Sequence, residues 1–318
     1  MSISTIQKMN PKMLVSDIAN FLDCSVPNIY NKLKSIEKEH IIEKRKSYIT
    51  HDIARELFKF KDVPKKVISV QTPKGGVGKT TITREVAVRS SLYGKKVLII
   101  DIDHQGNLTN SFGIQGEKHS SFYQVLKGDI NIKESIINVL PGIDIIASNL
   151  KNSYIDDFML QNTVNINKVF RKHINKILDC YDIIIFDCPP SNSRCVSSAN
   201  VCADLIAIPI IPDDFSIDGL KMIINRIQML NEEFDSTTDY KIIINRFDAR
   251  TKASLRITSS LINDPILGEK CFENYIGINQ DFTNYRMDGL SIFDAVRQSK
   301  CCEDIDKLTQ EILGISNG

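Results

Sequence analysis

Eight consecutive residues, Lys74-Gly75-Gly76-Val77-Gly78-Lys79-Thr80-Thr81, carry the most specific chemistry in the chain. They follow a short β-branched run and open a helical pattern. Glycines in such a turn let backbone N–H groups approach phosphate oxygens with no Cβ in the way. The helix start adds unpaired donors and partial positive charge. Lys79 is placed to reach β- and γ-phosphates, and the Thr80 hydroxyl to ligate Mg²⁺. A second acidic signal closes an apolar run, Ile184-Ile185-Phe186-Asp187, and a carboxylate there can hold the same cation. A third run ends in Asp101-Ile102-Asp103, where a carboxylate can orient water or cap a turn.

These residues need a scaffold that brings strand ends together. Apolar, strand-like runs lie at Val67–Val70, 97–102, 143–147, 182–186, 205–211 and 241–245, with helical patterns such as 162–180 and 216–230 between them. Near-continuous apolar strands separated by amphipathic helices imply an α/β fold, a mostly parallel sheet with helices on both faces. Ligands then bind beyond the carboxyl ends of the strands.

The block KGGVGKTT resembles the deviant Walker A motif of the ParA/MinD superfamily, and the segment Asp101 to Asn107 resembles its DxDPQGN, with His104 in place of proline. Asp187-Cys188-Pro189-Pro190 is similar to the family's Walker B continuation. The likeness runs from about Lys66 to Ile315 and implies an ATP- and Mg²⁺-dependent ATPase. Carried over by position, Lys74 reaches a dimer partner's nucleotide. Gly75, Gly76, Val77, Gly78, Lys79, Thr80 and Thr81 cradle the phosphates. Asp103 positions the attacking water, and Asp101 lies near the metal shell beside Thr80 and Asp187. Pro212 and Asp214 flank the nucleotide, and Asn245 reads the adenine edge.

Composition agrees with a folded, water-facing protein: 42% hydrophobic, 25% charged and net charge +1 over 318 residues. No apolar run approaches a membrane span, and no secretory signal opens the chain, so a cytoplasmic location is expected. Eight scattered cysteines without CxxC spacing read as reduced packing residues rather than a zinc or disulfide framework. Cys195 and Cys202 lack the second pair that an iron–sulfur reductase of the superfamily would need. The final helical stretch, 301–313, is acidic, unlike the basic lipid-binding end of MinD-like proteins.

Charge is uneven, with 13 Lys/Arg against 8 Asp/Glu in residues 1–66 and a net −4 over the rest. That points to an anionic partner for the N-terminal end. Leu14, Ile18 and Leu22, then Val26, Ile29 and Leu33, give two short helical faces around Asp23-Cys24-Ser25, with Ser25 as N-cap. Asn28, Asn31, Lys32 and Lys34 remain on outward faces of the second helix. A basic turn at Lys44, Arg45 and Lys46 follows, then a helix from about His51. The stretch resembles MerR-like winged helix-turn-helix modules. Division at a Pro64-containing linker gives residues 1–62 as a DNA-reading module and 63–318 as the ATPase.

The combination resembles larger plasmid partition ATPases. It implies a homodimer that binds nucleoid DNA without sequence preference and is stimulated by a ParB-like centromere-binding partner. Its N-terminal module would act on its own operator. Arg246, Arg250, Lys252 and Arg256 are candidates for the second, salt-sensitive DNA contact. The alternatives are an ATP-regulated transcriptional repressor and a MinD-like positioning ATPase.

Overall fold

The computed structural model describes residues 9–36, 38–59, 63–213, 216–295 and 299–315. At the N-terminal end it places β1 (Met13–Leu14), α1 (Val15–Phe21), α2 (Val26–Lys34), β2 (Ile41–Glu43), β3 (Lys46–Ile49) and α3 (His51–Phe58). There follow β4 (Lys66–Val70), α4 (Lys79–Leu92), β5 (Val97–Asp101), α5 (Asn107–Ser111) and α6 (Phe122–Lys127). Next come β6 (Ile136–Leu140), β7 (Ile143–Ile146), α7 (Ile155–Gln161), α8 (Ile166–Val169) and α9 (Arg171–Ile174). The chain closes with β8 (Ile183–Asp187), α10 (Arg194–Cys202), β9 (Leu205–Ile210), α11 (Ser216–Phe234), β10 (Asp239–Ile244), α12 (Lys252–Ile262), α13 (Asp281–Met287) and α14 (Lys300–Leu313).

Seven described strands form the main sheet in the order β10-β9-β4-β8-β5-β7-β6. All pairs are parallel except β6 with β7. The strands are buried on both faces because helices cover both, which explains their unbroken Ile and Val content. The expected P-loop NTPase architecture is therefore present. Strand β6 was not foreseen. It is a partly buried edge whose hairpin turns at Pro141-Gly142, with Gly142 at φ +76°. Proline followed by a left-handed glycine is the type II turn pairing.

The helix expected over 162–180 is three fragments, α8, α9 and a 3₁₀ turn at Leu178–Cys180. Thr163 takes φ +49°, which ends the preceding helical run. Asn165 then accepts from the Asn167 backbone N–H and restarts it.

Helices α1 and α2 bury Ile18, Ile29 and Leu33, whereas Val26 is exposed. Asp23 turns the chain between them at φ +44°. Ser25 occupies the N-cap position of α2 but its side chain makes no capping bond. β1, β3 and β2 make a small antiparallel sheet, and the hairpin turns through Lys44 and Arg45, both at positive φ.

This N-terminal unit is joined to the main body by one continuous apolar cluster that runs from Ile18 and Ile53 to Leu92, Ile143 and Ile305. Phe21, Phe58 and Tyr93 meet ring to ring at 5.0–5.8 Å. His51 Nδ1 lies 2.8 Å from the Ser91 carbonyl, and Arg55 donates to Gly94 O at 3.0 Å. A Cβ on Gly142 would meet the His51 ring at 2.3 Å, so the β6–β7 turn seats directly on α3. Lys61 and Asp62 of the expected linker lie outside the described residues. Helix α14 packs beside α4, its Ile305, Leu308 and Ile312 in one apolar cluster with Ile68 and Ile243 of the sheet.

Candidate functional site

Strands β4, β5 and β8 are neighbours through β8, so their carboxyl ends converge. The loop after β4 turns at Gly76 (φ +75°) and Gly78 (φ +96°), conformations that glycine reaches without strain. A Cβ on Gly78 would lie 2.4 Å from Asn245 Nδ2, whereas Gly75 and Gly76 face open space. α4 then begins at Lys79 with its first backbone donors uncapped by any side chain. The cleft beyond is about 340 Å³ and is lined by Gly75, Gly76, Gly78, Lys79, Thr80, Thr81 and Asp103, with Arg84, Asn107, Ser111, Pro190 and Arg286.

Lys79 is 7% exposed and donates to Thr72 O at 3.1 Å and Lys74 O at 3.2 Å. Burial lowers its pKa, partly opposed by the Asp187 carboxylate. Thr80 Oγ1 donates to Asp187 Oδ2 at 2.9 Å, and Thr83 Oγ1 to Asp187 Oδ1 at 3.1 Å. Asp187 and Asp101 sit opposite one another in the β8–β5 register. Burial raises the pKa of both, and Asp187 adds repulsion at Asp101. The Asp187 carboxylate beside the Thr80 hydroxyl is an all-oxygen donor pair that a hard divalent cation would neutralise. The residues therefore fit a polyphosphate held with such a cation.

Several side chains hold other positions than the sequence pattern implies. Asp101 is fully buried, taking Thr109 N (2.9 Å) and Oγ1 (2.7 Å) on one oxygen and Asp103 N (3.2 Å) on the other. It anchors α5 and the Asp103 loop and does not line the cleft. Asp103 does line it, with Oδ1 accepting from Gln105 N at 3.0 Å. His104 is half exposed and turned to Gln105.

Asn245 braces the loop: Nδ2 donates to Val77 O at 2.7 Å and Oδ1 accepts from Arg246 N at 2.9 Å. Lys74 forms an ion pair with Asp213 of its own chain and stands outside the cleft lining, as do Val77 and Pro212. Asp214 lies outside the described residues. Asn107 and Pro190 lie in the two segments read as motifs, whereas Thr83, Arg84, Ser111 and Arg286 went unread in the sequence. Thr83 and Arg84 carried a local signal, since they lie four and five residues past Lys79 on the helix the loop opens.

Among the DNA candidates, Asn28, Asn31, Lys32 and Lys34 are exposed on α2, and Lys44, Arg45 and Lys46 are exposed at the hairpin turn. Arg246, Arg250, Lys252 and Arg256 are exposed around the end of β10 and the start of α12. Arg250 is clamped on Asp248 through Nε (2.8 Å) and Nη2 (2.9 Å), so its charge is locally balanced. Cys188, Cys195 and Cys202 are buried and free. No helix among the described residues is long and apolar enough to cross a membrane.

Fold and site together define a P-loop protein of the ParA type. Residues 65–241, more than half of the chain, match an AAA domain model, and the chain belongs to that family. It is 26% identical over 195 residues to the sporulation initiation inhibitor protein Soj of Bacillus subtilis, covering 60% of this chain and 77% of that protein. It is also 26% identical over 203 residues to the chromosome partitioning protein ParA of Caulobacter vibrioides, covering 62% and 76%. Among solved structures, the ATP complex of a McdA variant from Cyanothece aligns with TM-score 0.71 at 19% identity, over 79% of this chain and 97% of that one. A putative plasmid partition protein from Borrelia burgdorferi bound to AMPPNP aligns with TM-score 0.65 at 21% identity, over 79% and 99%.

Proposed function

We propose that this chain is an ATP-switched partition or positioning ATPase that acts on DNA. The observation that carries the reading is the convergence of Lys79, Thr80 and Asp103 on one cleft at the ends of β4, β5 and β8, with Asp187 directly behind Thr80 at 2.9 Å. ATP would lie along the glycine loop, its β- and γ-phosphates on the Lys79 ammonium and the backbone donors at the start of α4. The Thr80 hydroxyl and Asp187 would hold Mg²⁺, which would supply neutralisation of phosphate charge. Asp103 accepts a hydrogen bond from water and points it at the γ-phosphorus; the bond to the β-bridging oxygen breaks, leaving ADP and phosphate. Asp101 keeps the Asp103 loop in place.

Lys74 is half exposed and held by Asp213 at the edge of the fold. Exchange of that partner for the phosphates of a second subunit's nucleotide would couple ATP to dimerisation. Residues 1–62 act as a winged helix-turn-helix that presents α2 and the Lys44–Lys46 turn to DNA, with autorepression as its use. Residues 63–318 form the ATPase. The dimer binds nucleoid DNA in the cytoplasm, and a ParB-like partner triggers hydrolysis. The names of the Soj, ParA and plasmid partition relatives support this assignment.

Binding to a random-sequence duplex, with no nucleotide, with ADP and with ATP plus Mg²⁺, tests the reading in wild type and Lys74→Ala. ATP-dependent binding that is lost in Lys74→Ala is the expected result. Nucleotide-independent binding confined to one operator sequence would instead make the chain an ATP-tuned repressor. The exposed α2 face on a unit fused to α4 through a continuous core favours that as the second reading.

A further inference from the structure

The helical run before β8 carries a charge pattern that the nucleotide chemistry does not use. From Asn165 to Ile177 the sequence holds Lys168, Arg171, Lys172, His173 and Lys176, and no Asp or Glu. α8 and α9 follow one another through Phe170, whose backbone is itself helical (φ −77°, ψ −46°), so the run keeps its phase. At about 100° per residue, Lys168, Lys172 and Lys176 fall on one face within an arc of about 80°. All three are exposed. Val169, Phe170, Ile174 and Ile177 on the other face are buried in the cluster that also holds Phe122 and Phe186.

This row of charge is uncompensated. Elsewhere Lys65, Lys127, Lys270 and Lys300 each pair with a carboxylate, but among the described residues no carboxylate pairs with Lys168, Lys172 or Lys176. His173, behind the row, has its pKa lowered by burial first and then by Lys176 and Lys172, with no acidic group opposing them. Arg171 stands at the edge, where Nη2 donates to Val201 O at 2.7 Å and the side chain shares a polar groove with Asp204 and Asp235. The uncompensated charge is therefore that of the three lysines. Like charges at i and i+4 destabilise a helix, and an anionic partner relieves that repulsion.

The run lies at the amino end of the sheet. Asn167 Nδ2 donates to Phe234 O at 3.3 Å, and the groove beside it includes Asp204 and Thr238, just before β9 and β10. The nucleotide cleft lies at the carboxyl ends of the strands, so both places can be occupied at once. A basic amphipathic helix binds a bilayer by sinking its apolar face. Here that face is already buried in the protein, which leaves only the charges. Steps of four residues space them about 6 Å apart, which suits a phosphate backbone whose charges recur on each strand about every 3.4 Å of duplex axis.

We propose that Lys168, Lys172 and Lys176 form a sequence-independent contact for the phosphate backbone of duplex DNA. The proposal rests on the reading of the chain as an ATPase that acts on DNA. It places a contact on the body of the protein, apart from α2, the Lys44–Lys46 turn and the end of β10.

Fluorescence anisotropy of a short random-sequence duplex titrated with the full chain, in each nucleotide state and over a salt series, tests this. Wild type is compared with Lys168→Gln/Lys172→Gln/Lys176→Gln. A charge-matched control, Lys118→Gln/Lys133→Gln/Lys151→Gln, removes three exposed lysines elsewhere. Gln is close to Lys in helix propensity, so the row variant should fold. It should also bind ATP with Mg²⁺ as wild type does in calorimetry, because the row is remote from the cleft. Log affinity falls with log salt by about 0.9 per phosphate contact, so the slope should become shallower by about 2 to 3 in the row variant and stay unchanged in the control. A row variant with the wild-type slope, or a control that loses as much, overturns the proposal and leaves the DNA reading standing. So does a row variant that loses ATP affinity together with DNA, since the effect would then run through the cleft. Wild type that binds no duplex in any nucleotide state removes both readings. Row-dependent capture by phosphatidylserine vesicles, with DNA binding unaltered, would overturn the proposal in favour of a lipid surface.

Discussion

Replacement of Asp306 by Ala should unseat α14 from the P-loop helix at a measurable cost. Arg89 on α4 is 1% exposed and its Nε donates to Asp306 Oδ1 at 2.6 Å. Tyr93 Oη donates to the same oxygen at 2.7 Å, and Gln310 Nε2 to Oδ2 at 3.1 Å. The guanidinium is further enclosed by the Tyr93 and Phe293 rings at 4.9 and 5.2 Å. Removal of one partner from a buried ion pair costs about 3–5 kcal/mol, because the remaining charge is uncompensated. Asp306 is 24% exposed, so water can reach the vacated place and the loss is better set at roughly 2–4 kcal/mol. At about 2–4 °C per kcal/mol for a body of this size, melting should fall by roughly 5–15 °C. Circular dichroism melts of wild type, Asp306→Ala and Asp306→Asn would show it. Asp306→Asn retains an acceptor and should lose less. Lys300→Ala, which removes a 64% exposed charge on the same helix, should stay within about 0.5 kcal/mol. An Asp306→Ala loss below about 1 kcal/mol would refute the idea that charge compensation, rather than apolar packing of α14, holds Arg89 in the core.

Acidification should also loosen the N-terminal unit. Burial lowers the pKa of His51, so the neutral ring is the folded form, and its contribution is complete above the unfolded value of about 6.5. That contribution is lost as pH falls below 6.5 towards the folded pKa; urea titrations at pH 7.5 and 5.5 should therefore show a larger drop for wild type than for His51→Gln, and parallel drops would contradict it. At the loop, Gly78→Ala sets a Cβ at positive φ and 2.4 Å from Asn245 Nδ2. Nucleotide affinity should fall at least about tenfold, since the loop must shift by more than a hydrogen bond tolerates; unaltered affinity in calorimetry would show that the loop does not need that geometry.

The nucleotide site was legible where its signals are local. The glycine loop, Lys79 and Thr80 are contiguous, and Asp187 is announced by the apolar run before it. Periodicity and strand-end position were enough to place them at one end of a parallel sheet. Asn245 and Asp101 were legible as polar residues at strand ends, yet the protein groups they hydrogen-bond were not. Whether such a side chain faces a ligand or braces a loop depends on which backbone group stands opposite, and for Asn245 that group is Val77, 168 residues away. Strand β6 was missed although Pro141-Gly142 between two apolar runs is a hairpin signal.

What the sequence alone determined is the class of chemistry and the sheet that supports it, because both are written in short-range patterns of glycine, charge and apolar period. The tertiary structure decided how the two ends of the chain are tied to the P-loop helix. Lys12 N donates to Phe293 O, Arg84 meets Leu290 and Met9, His51 meets Ser91, and Arg89 meets Asp306. Most of these pairings span 75 residues or more, and each joins groups that look like ordinary surface charges or turn residues in isolation. Burial between elements gives them their energy, and burial is a property of the assembled layers rather than of any segment.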